Sequence, residues 1–330
     1  MDKIKKVTIG ISTYGSLQRA DGCIRSFWSN LDRKDDLEIK TVVVDDGTPD
    51  VQALKDRRDF CRRFNFALIE HGNNRGISTA WNTLASFDPD ADLVFIANDD
   101  IRFIMPGWLT RLVHFFDNNE QVGTVGLPLI HEPGFKDDDP RWWAKPDRIS
   151  CAGRYAFSVR PKDLFSIENP DGSKGFFVSL VSFHEELFCG FKLAEKGYDS
   201  WMLPFPMLYH QGGATFAANE EPIWRTPSPD LPMEVFLKYV RQSKWYVKEY
   251  ESKYAEGIVD RMSFSRIQLC LHYGLLDEIE ANGPIREIKG EMVNILDEPQ
   301  KPIHAKFVDT LPSKTIKWLD KGGQEKEEII

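Results

Sequence analysis

Cysteine is scarce in this 330-residue chain: five residues, at positions 23, 61, 151, 189 and 270, odd in number and never at C-x-x-C spacing. That argues against a disulfide framework and a thiolate metal site, and reduced, mostly buried thiols are expected. Long apolar runs are missing too. None approaches the roughly 20 residues needed to cross a bilayer, and Met1-Asp2-Lys3-Ile4-Lys5-Lys6 leads into a strand pattern without the apolar segment of a signal peptide. A soluble, cytoplasmic protein is the expectation, held at a membrane only by a partner. Positive charge is also in deficit: 42 Lys and Arg against 51 Asp and Glu give a net charge of −9. This disfavours an unaided grip on nucleic acid, although a local basic groove would not show in the total. Finally, there is no G-x-G-x-x-G after a strand, no Walker A sequence and no G-x-S-x-G elbow. A site in this chain has to be built from acids, hydroxyls and aromatics.

What is present is an ordinary globular composition, 42% apolar and 28% charged, in a chain long enough for one large core and an appendage. Val7, Ile9 and Ile11 alternate with Thr8 and Gly10 as in a strand, which stops at Ser12-Thr13-Tyr14-Gly15; a helix should follow to about Asn30. The β-branched run Thr41-Val42-Val43-Val44 ends on Asp45-Asp46-Gly47-Thr48-Pro49, which is turn chemistry and a helix start. A charged helix over 51–64, a strand over 66–70, a helix over 77–87 and a strand from Leu93 continue the alternation. Such spacing argues for βαβ units and a mostly parallel sheet. Helix 106–117 and strand 123–127 come next, and regularity then lapses over 131–175, an insertion rich in Pro, Asp, Gly and aromatics. A helix opens at Glu185, short extended pieces surround Pro204 and Pro206, and 222–330 reads as a helical extension, clearest at 233–254 and 263–280, with the last ten residues frayed.

Leu93-Val94-Phe95-Ile96-Ala97 ends on Asn98-Asp99-Asp100. In open α/β sheets ligands bind beyond the carboxyl ends of the strands, so paired carboxylates there suit a cation or a hydrogen-bonded ligand. Alone, such a pair is more often a solvated strand end or a helix N-cap. Glu185 and Glu186 by themselves are more often first-turn acids that stabilise a helix, and a lone His210 is more often structural. Arg57, Arg58, Arg62 and Arg63, interleaved with apolar residues, read as the solvated face of a helix.

The order of these pieces resembles the family 2 glycosyltransferases, nucleotide-sugar-dependent enzymes of GT-A fold, over roughly residues 5 to 216. Val7-Thr8-Ile9-Gly10-Ile11-Ser12-Thr13-Tyr14 is similar to the family's opening strand, whose terminal hydroxyl and Tyr, here Ser12 and Tyr14, cradle the nucleotide base. Val43-Val44-Asp45-Asp46-Gly47-Thr48 looks like V-D-D-G-S, in which the second acid, here Asp46, reads the base. Asn74-Arg75-Gly76-Ile77-Ser78-Thr79-Ala80-Trp81-Asn82 looks like N-x-G-x-x-x-A-x-N, the helix beneath the donor; it makes Asn74, Arg75, Gly76 and Asn82 donor-site candidates. Asn98-Asp99-Asp100 stands in place of D-x-D, with Asn98 a departure from the first acid. The resemblance gives the metal to Asp100 and places Asp99 at the ribose or beside the metal.

Phe183-His184-Glu185-Glu186-Leu187, followed by Gly197-Tyr198, resembles the segment that carries the general base, which makes Glu186 the base and Glu185 its rival. His210 matches a histidine that many members use toward the metal or a phosphate. The implied fold is α/β of GT-A type, a Rossmann-like, mostly parallel sheet flanked by helices over residues 1–221, with a helical C-terminal extension over 222–330. The implied reaction is an inverting transfer from a nucleoside diphosphate sugar, a UDP-sugar as first choice, to an acceptor hydroxyl of a glycan or of a modified base in phage DNA. Mn2+ or Mg2+ would offset the charge of the departing diphosphate, and an imidazole ligand favours Mn2+. Trp142, Trp143 and Trp224 are candidate acceptor platforms. Two rivals from other classes are a nucleotidyltransferase, which usually has a Gly-rich basic phosphate loop where this chain has Ser12-Thr13-Tyr14-Gly15-Ser16, and a non-catalytic sugar-nucleotide binding module, which could dispense with Glu186.

Overall fold

Val42-Val43-Val44 and Leu93-Val94-Phe95-Ile96 are apolar at every position, so strands built from them need cover on both faces. The computed structural model, which describes residues 3–15, 17–32, 36–131, 145–149, 155–178, 185–211, 287–288, 291–292 and 312–330, provides that cover. Strand and helix alternate from the start: β1 (Lys6–Thr13), α1 (Leu17–Asn30), β2 (Glu38–Asp45), α2 (Val51–Arg63), β3 (Ala67–Glu70), α3 (Ile77–Ser86) and β4 (Leu93–Asn98). Then come β5 (Ile101–Phe103), α4 (Trp108–Asn118), β6 (Val122–Gly126), β7 (Leu129–His131), β8 (Asp147–Ile149), β9 (Ala156–Val159) and α5 (Pro161–Leu164). They are followed by α6 (Glu185–Ala194), β10 (Asp199–Met202), β11 (Leu208–His210), β12 (Glu287–Ile288), β13 (Glu291–Met292), β14 (Thr315–Leu319) and β15 (Glu325–Ile329).

Eight strands form one sheet in the order β3-β2-β1-β4-β9-β6-β10-β8. β3, β2, β1 and β4 are mutually parallel, β10 is parallel to β6, and β9 and β8 run antiparallel to their neighbours. The chain steps from β1 outward to β3 and then crosses back to β4. Right-handed crossovers made in opposite directions place their helices on opposite faces. Accordingly Cys23, Ile24 and Phe27 of α1 pack with Val7, Ile9, Ile11, Val43 and Phe95, whereas Ala80, Trp81 and Leu84 of α3 pack with Val42, Val44, Val94 and Ile96. Alternate residues of the same valine run thus serve different cores. The reversal of strand order falls between β1 and β4, and at such a switch point the crevice beyond the strand ends is open to a ligand.

The three-stranded sheet β5-β11-β7 lies beyond the end of β4, with His210 in register with Ile101. It brings the chain after Asp100 next to the chain before Gln211.

The structure departs from the sequence reading in several places, one of them the expected helical extension 222–330, whose described elements, β12 to β15, are all strands. The segment 131–175, expected to be irregular, contains β8, β9 and α5, and β9 is inserted in the middle of the main sheet between β4 and β6. The last ten residues, expected to fray, include β15, which pairs antiparallel with β14. This hairpin packs on α4 and is held by side chains of the main body. Arg111 donates to the carbonyls of Leu319, Asp320 and Lys321, while Asn119 both donates to the Lys317 carbonyl at 2.7 Å and accepts from its N–H at 2.8 Å. Ile316 and Trp318 are buried in the same core as α4. Trp318→Ala should therefore cost about 3 kcal/mol in urea unfolding, the scale of a buried aromatic, where the same change in a frayed tail would stay within about 0.5 kcal/mol. The helices expected at 233–254 and 263–280 lie outside the described residues, as do Trp142, Trp143 and Trp224.

Candidate active site

β1, β2 and β4 end side by side, so their polar termini converge on one edge. β1 is the middle strand of the three and ties the other two together. Ser12 Oγ bonds to Asn98 Oδ1 at 3.0 Å, and Thr13 Oγ1 donates to Asp99 Oδ2 at 2.6 Å. On its other side, the turn after β1 is fastened to the turn after β2 by a buried ion pair between Arg57 and Asp45. Arg57 also donates to Gly15 O and to Thr48 Oγ1, each at 2.9 Å. Thr48 in turn donates its N–H to Asp45 Oδ1 at 2.7 Å and accepts from the Gly15 N–H at 2.8 Å. Arg57 is only 1% exposed, so this arginine is a strut of the site and not part of a solvated face. Arg58 pairs with Glu70, and Arg62 and Arg63 do face solvent.

Asp46 is buried and organises the 71–76 loop. Its carboxylate accepts from the N–H groups of Arg75 at 3.0 Å and Gly76 at 2.9 Å and contacts His71 Nδ1 at 2.8 Å; Asn74 Oδ1 shares the Gly76 N–H. Gly47 permits this closeness. Its φ is +80°, and a Cβ there would lie 2.1 Å from the Asn73 carbonyl carbon. The N-terminus of α3, with its free amides, is thereby presented at the sheet edge with an acid already beside it. Tyr14 lies half-buried just past β1.

The second cluster is at the end of β4. Asp100 Oδ2 is 3.0 Å from His210 Nε2, and the His210 ring stacks on Tyr155 with centroids 3.9 Å apart. Asp100 Oδ1 is buried and has no hydrogen-bond partner among the described residues. A buried carboxylate oxygen left bare beside an imidazole suits a divalent cation, which needs few protein ligands when substrate phosphates complete its shell. Among the described residues no group of three His, Cys, Asp or Glu side chains is placed to hold an ion unaided. Burial pushes the neighbouring Asp99 carboxyl up to about 6, against the opposing pull of the Thr13 hydroxyl bond. A cation alongside would draw it down again.

Three candidates belong to neither cluster. Asn82, on the second turn of α3, spends its amide on Phe176, donating to the carbonyl and accepting from the N–H, both at 2.8 Å. In this structure it anchors the 175–178 segment. Glu185 and Glu186 open α6 and are buried, 2% and 6% exposed. β10 runs parallel to β6, and β6 parallel to β4 through their shared antiparallel neighbour β9. α6 packs on β10 and turns directly into it, so its first turn starts at the edge where β1, β2 and β4 end.

The sequence reading missed Thr13, Thr48, Arg57, His71 and Tyr155. Thr13 and Thr48 stand inside the Ser12-Thr13-Tyr14 and Asp45-Asp46-Gly47-Thr48 signals and were within reach. The others act through contacts between distant elements.

A family model, Glycosyl transferase family 2, matches residues 8–188, more than half of the chain and all of the strand ends just described. The chain belongs to glycosyltransferase family 2. Among solved structures it is similar to GalNAc-T7 with UDP, GalNAc and Mn2+, at 9% identity and TM-score 0.56, covering 82% of this chain and 55% of that one. It is also similar to S. aureus TarS, at 13% identity and TM-score 0.51, covering 98% and 60%. A TarS fragment in complex with UDP matches at 16% identity and TM-score 0.48 over 62% and 60%. At such identities the likeness is one of fold, the GT-A fold. The chain spans 55% to 60% of the length of these structures. No curated protein matches it.

Within family 2, the match ends at Phe188. It therefore includes Asp100, Glu185 and Glu186 but leaves His210 outside. The match therefore spans the three strand ends, while the place of the histidine rests on its distance to Asp100. Among the described residues no helix is long and apolar enough to cross a membrane.

Proposed function

We propose that this family 2 chain is an inverting glycosyltransferase that moves a sugar from a UDP-sugar to an acceptor hydroxyl. The observation that carries it is the pairing of Asp100 and His210, with one carboxylate oxygen bare among the described residues, at the same sheet edge as the Asp46-bound start of α3. The uridine would lie toward Tyr14 and Asp46 and the diphosphate toward Asp100. Asp100 and His210 would hold Mn2+, with Asp99 beside it; when bound, the ion offers a Lewis acid that offsets the charge of the leaving diphosphate. Glu186 would take the proton of the acceptor hydroxyl as that oxygen attacks the anomeric carbon. A carboxylate in the first turn of a helix is favoured in its charged form and suits that task. UDP as the nucleotide is supported by the resemblance of the Ser12–Tyr14 and Asp45–Thr48 elements, and the GalNAc-T7 structure of similar fold contains UDP and Mn2+.

The test is a panel of UDP-, dTDP- and GDP-sugars, with and without Mn2+, read as release of the nucleoside diphosphate. Metal-dependent turnover of a UDP-sugar is expected. If no donor turns over and no nucleoside diphosphate binds in a metal-dependent way, the proposal fails.

A further inference from the structure

The Asp99-Asp100 turn is braced by a residue that lies outside the strand-end motifs. Arg102 lies in β5, opposite Tyr209 of β11. Its Nη1 donates to three carbonyls, of Ile101 at 2.8 Å, Asp99 at 3.2 Å and Arg19 at 3.2 Å, and its Nη2 donates to Gln211 Oε1 at 2.6 Å. Gln211 in turn gives its N–H to Asp100 O at 3.0 Å. One guanidinium therefore joins the first turn of α1, the Asp99-Asp100 turn and the end of β11, which are the pieces that set Asp100 and His210 next to each other. β5 and β11 are three residues each, too short a ladder to fix that spacing rigidly by itself.

Helix α1 is shaped for this contact. Gly22 lies in its interior, where glycine weakens a helix relative to alanine. A Cβ there would stand 2.4 Å from Arg102 Cζ and Nη2 and would evict the guanidinium. The helix gives up some stability at the one place where the arginine needs its surface bare.

We infer that Arg102, seated against Gly22, is a positioning residue that fixes the spacing of Asp100 and His210 and so sets the affinity for the divalent cation. The inference deepens the proposed function and rests on it. Groups that orient metal ligands without touching the metal typically carry ten- to a hundredfold of metal affinity.

The test uses the full chain and measures Mn2+ binding in the presence of UDP by electron paramagnetic resonance, alongside metal-free UDP binding and thermal unfolding. Gly22→Ala should weaken Mn2+ binding at least about tenfold while lowering the unfolding temperature less than Arg102→Gln does, because the alanine strengthens the helix and offsets part of the lost guanidinium bonds. Arg102→Gln should do the same to Mn2+ binding, and the double variant should be no worse than either single one, since both remove one contact. Arg102→Lys, which keeps the charge and a donor, should recover part of the affinity. Wild-type Mn2+ binding with either single variant within about twofold of it would overturn the inference alone, as would an equal loss of metal-free UDP binding. A wild-type chain that binds no Mn2+ with UDP would overturn the proposed function and this inference with it.

Discussion

Asp100→Asn should abolish Mn2+-dependent binding of UDP and lower transfer by about three orders of magnitude, the several kcal/mol of charge stabilisation that a bound cation supplies. The substitution is nearly isosteric, and the native carboxylate has one buried oxygen without a partner among the described residues, so no favourable bond at that atom is lost. The unfolding temperature should therefore hold. Asp99→Asn should be milder. Asp99 already has a bond to the Thr13 hydroxyl, and its burial favours the neutral form, so an amide is a smaller change there. Titration calorimetry with UDP, with and without Mn2+, separates the two. Equal UDP affinity with Mn2+ in wild type and Asp100→Asn would remove Asp100 from the metal site.

The alternation of strand and helix was legible because each early strand is an apolar run that stops abruptly on polar residues, and the boundaries of α1, α3 and β4 follow from that pattern. β9 was not. It is four residues, Ala-Phe-Ser-Val, inside a stretch dense in turn formers, and its partners in β4 and β6 are brought to it only by the fold. The tail misled for a related reason. The five residues of β15 are all exposed, so its charges read as solvated chain, while the apolar half of the hairpin, Ile316 and Trp318, lies in β14. Arg57 shows the limit on the site. Four arginines in one helix look alike in sequence, and the one whose side chain reaches Asp45 between β2 and α2 is buried, whereas the other three are exposed. Strand-end acids announce themselves by contrast with the apolar run before them. Struts such as Arg57 and Arg102 act between elements distant in sequence, and no local pattern marks them.

Glu186→Gln should lower transfer by about 10²- to 10⁴-fold, the range for losing a positioned general base, while leaving the dissociation constant for UDP with Mn2+ unchanged. Glutamine preserves volume and one acceptor oxygen, so the first turn of α6 should stay in place. What it loses is the capacity to accept the acceptor's proton, which matters only once the hydroxyl begins to attack. A residue that acts only in the transition state changes kcat without changing donor affinity, in contrast to Asp100, whose loss is felt on binding. Glu185 is the necessary control, because both glutamates are buried in the same turn and one helical step separates them by about 100°. Two side chains so oriented cannot both face one acceptor hydroxyl. Glu185→Gln should leave most of the transfer rate, and a reversal of the two results would move the base to Glu185 while keeping the chemistry at the start of α6. If both variants lost UDP affinity together, the turn would belong to the donor site and the base would have to be sought elsewhere.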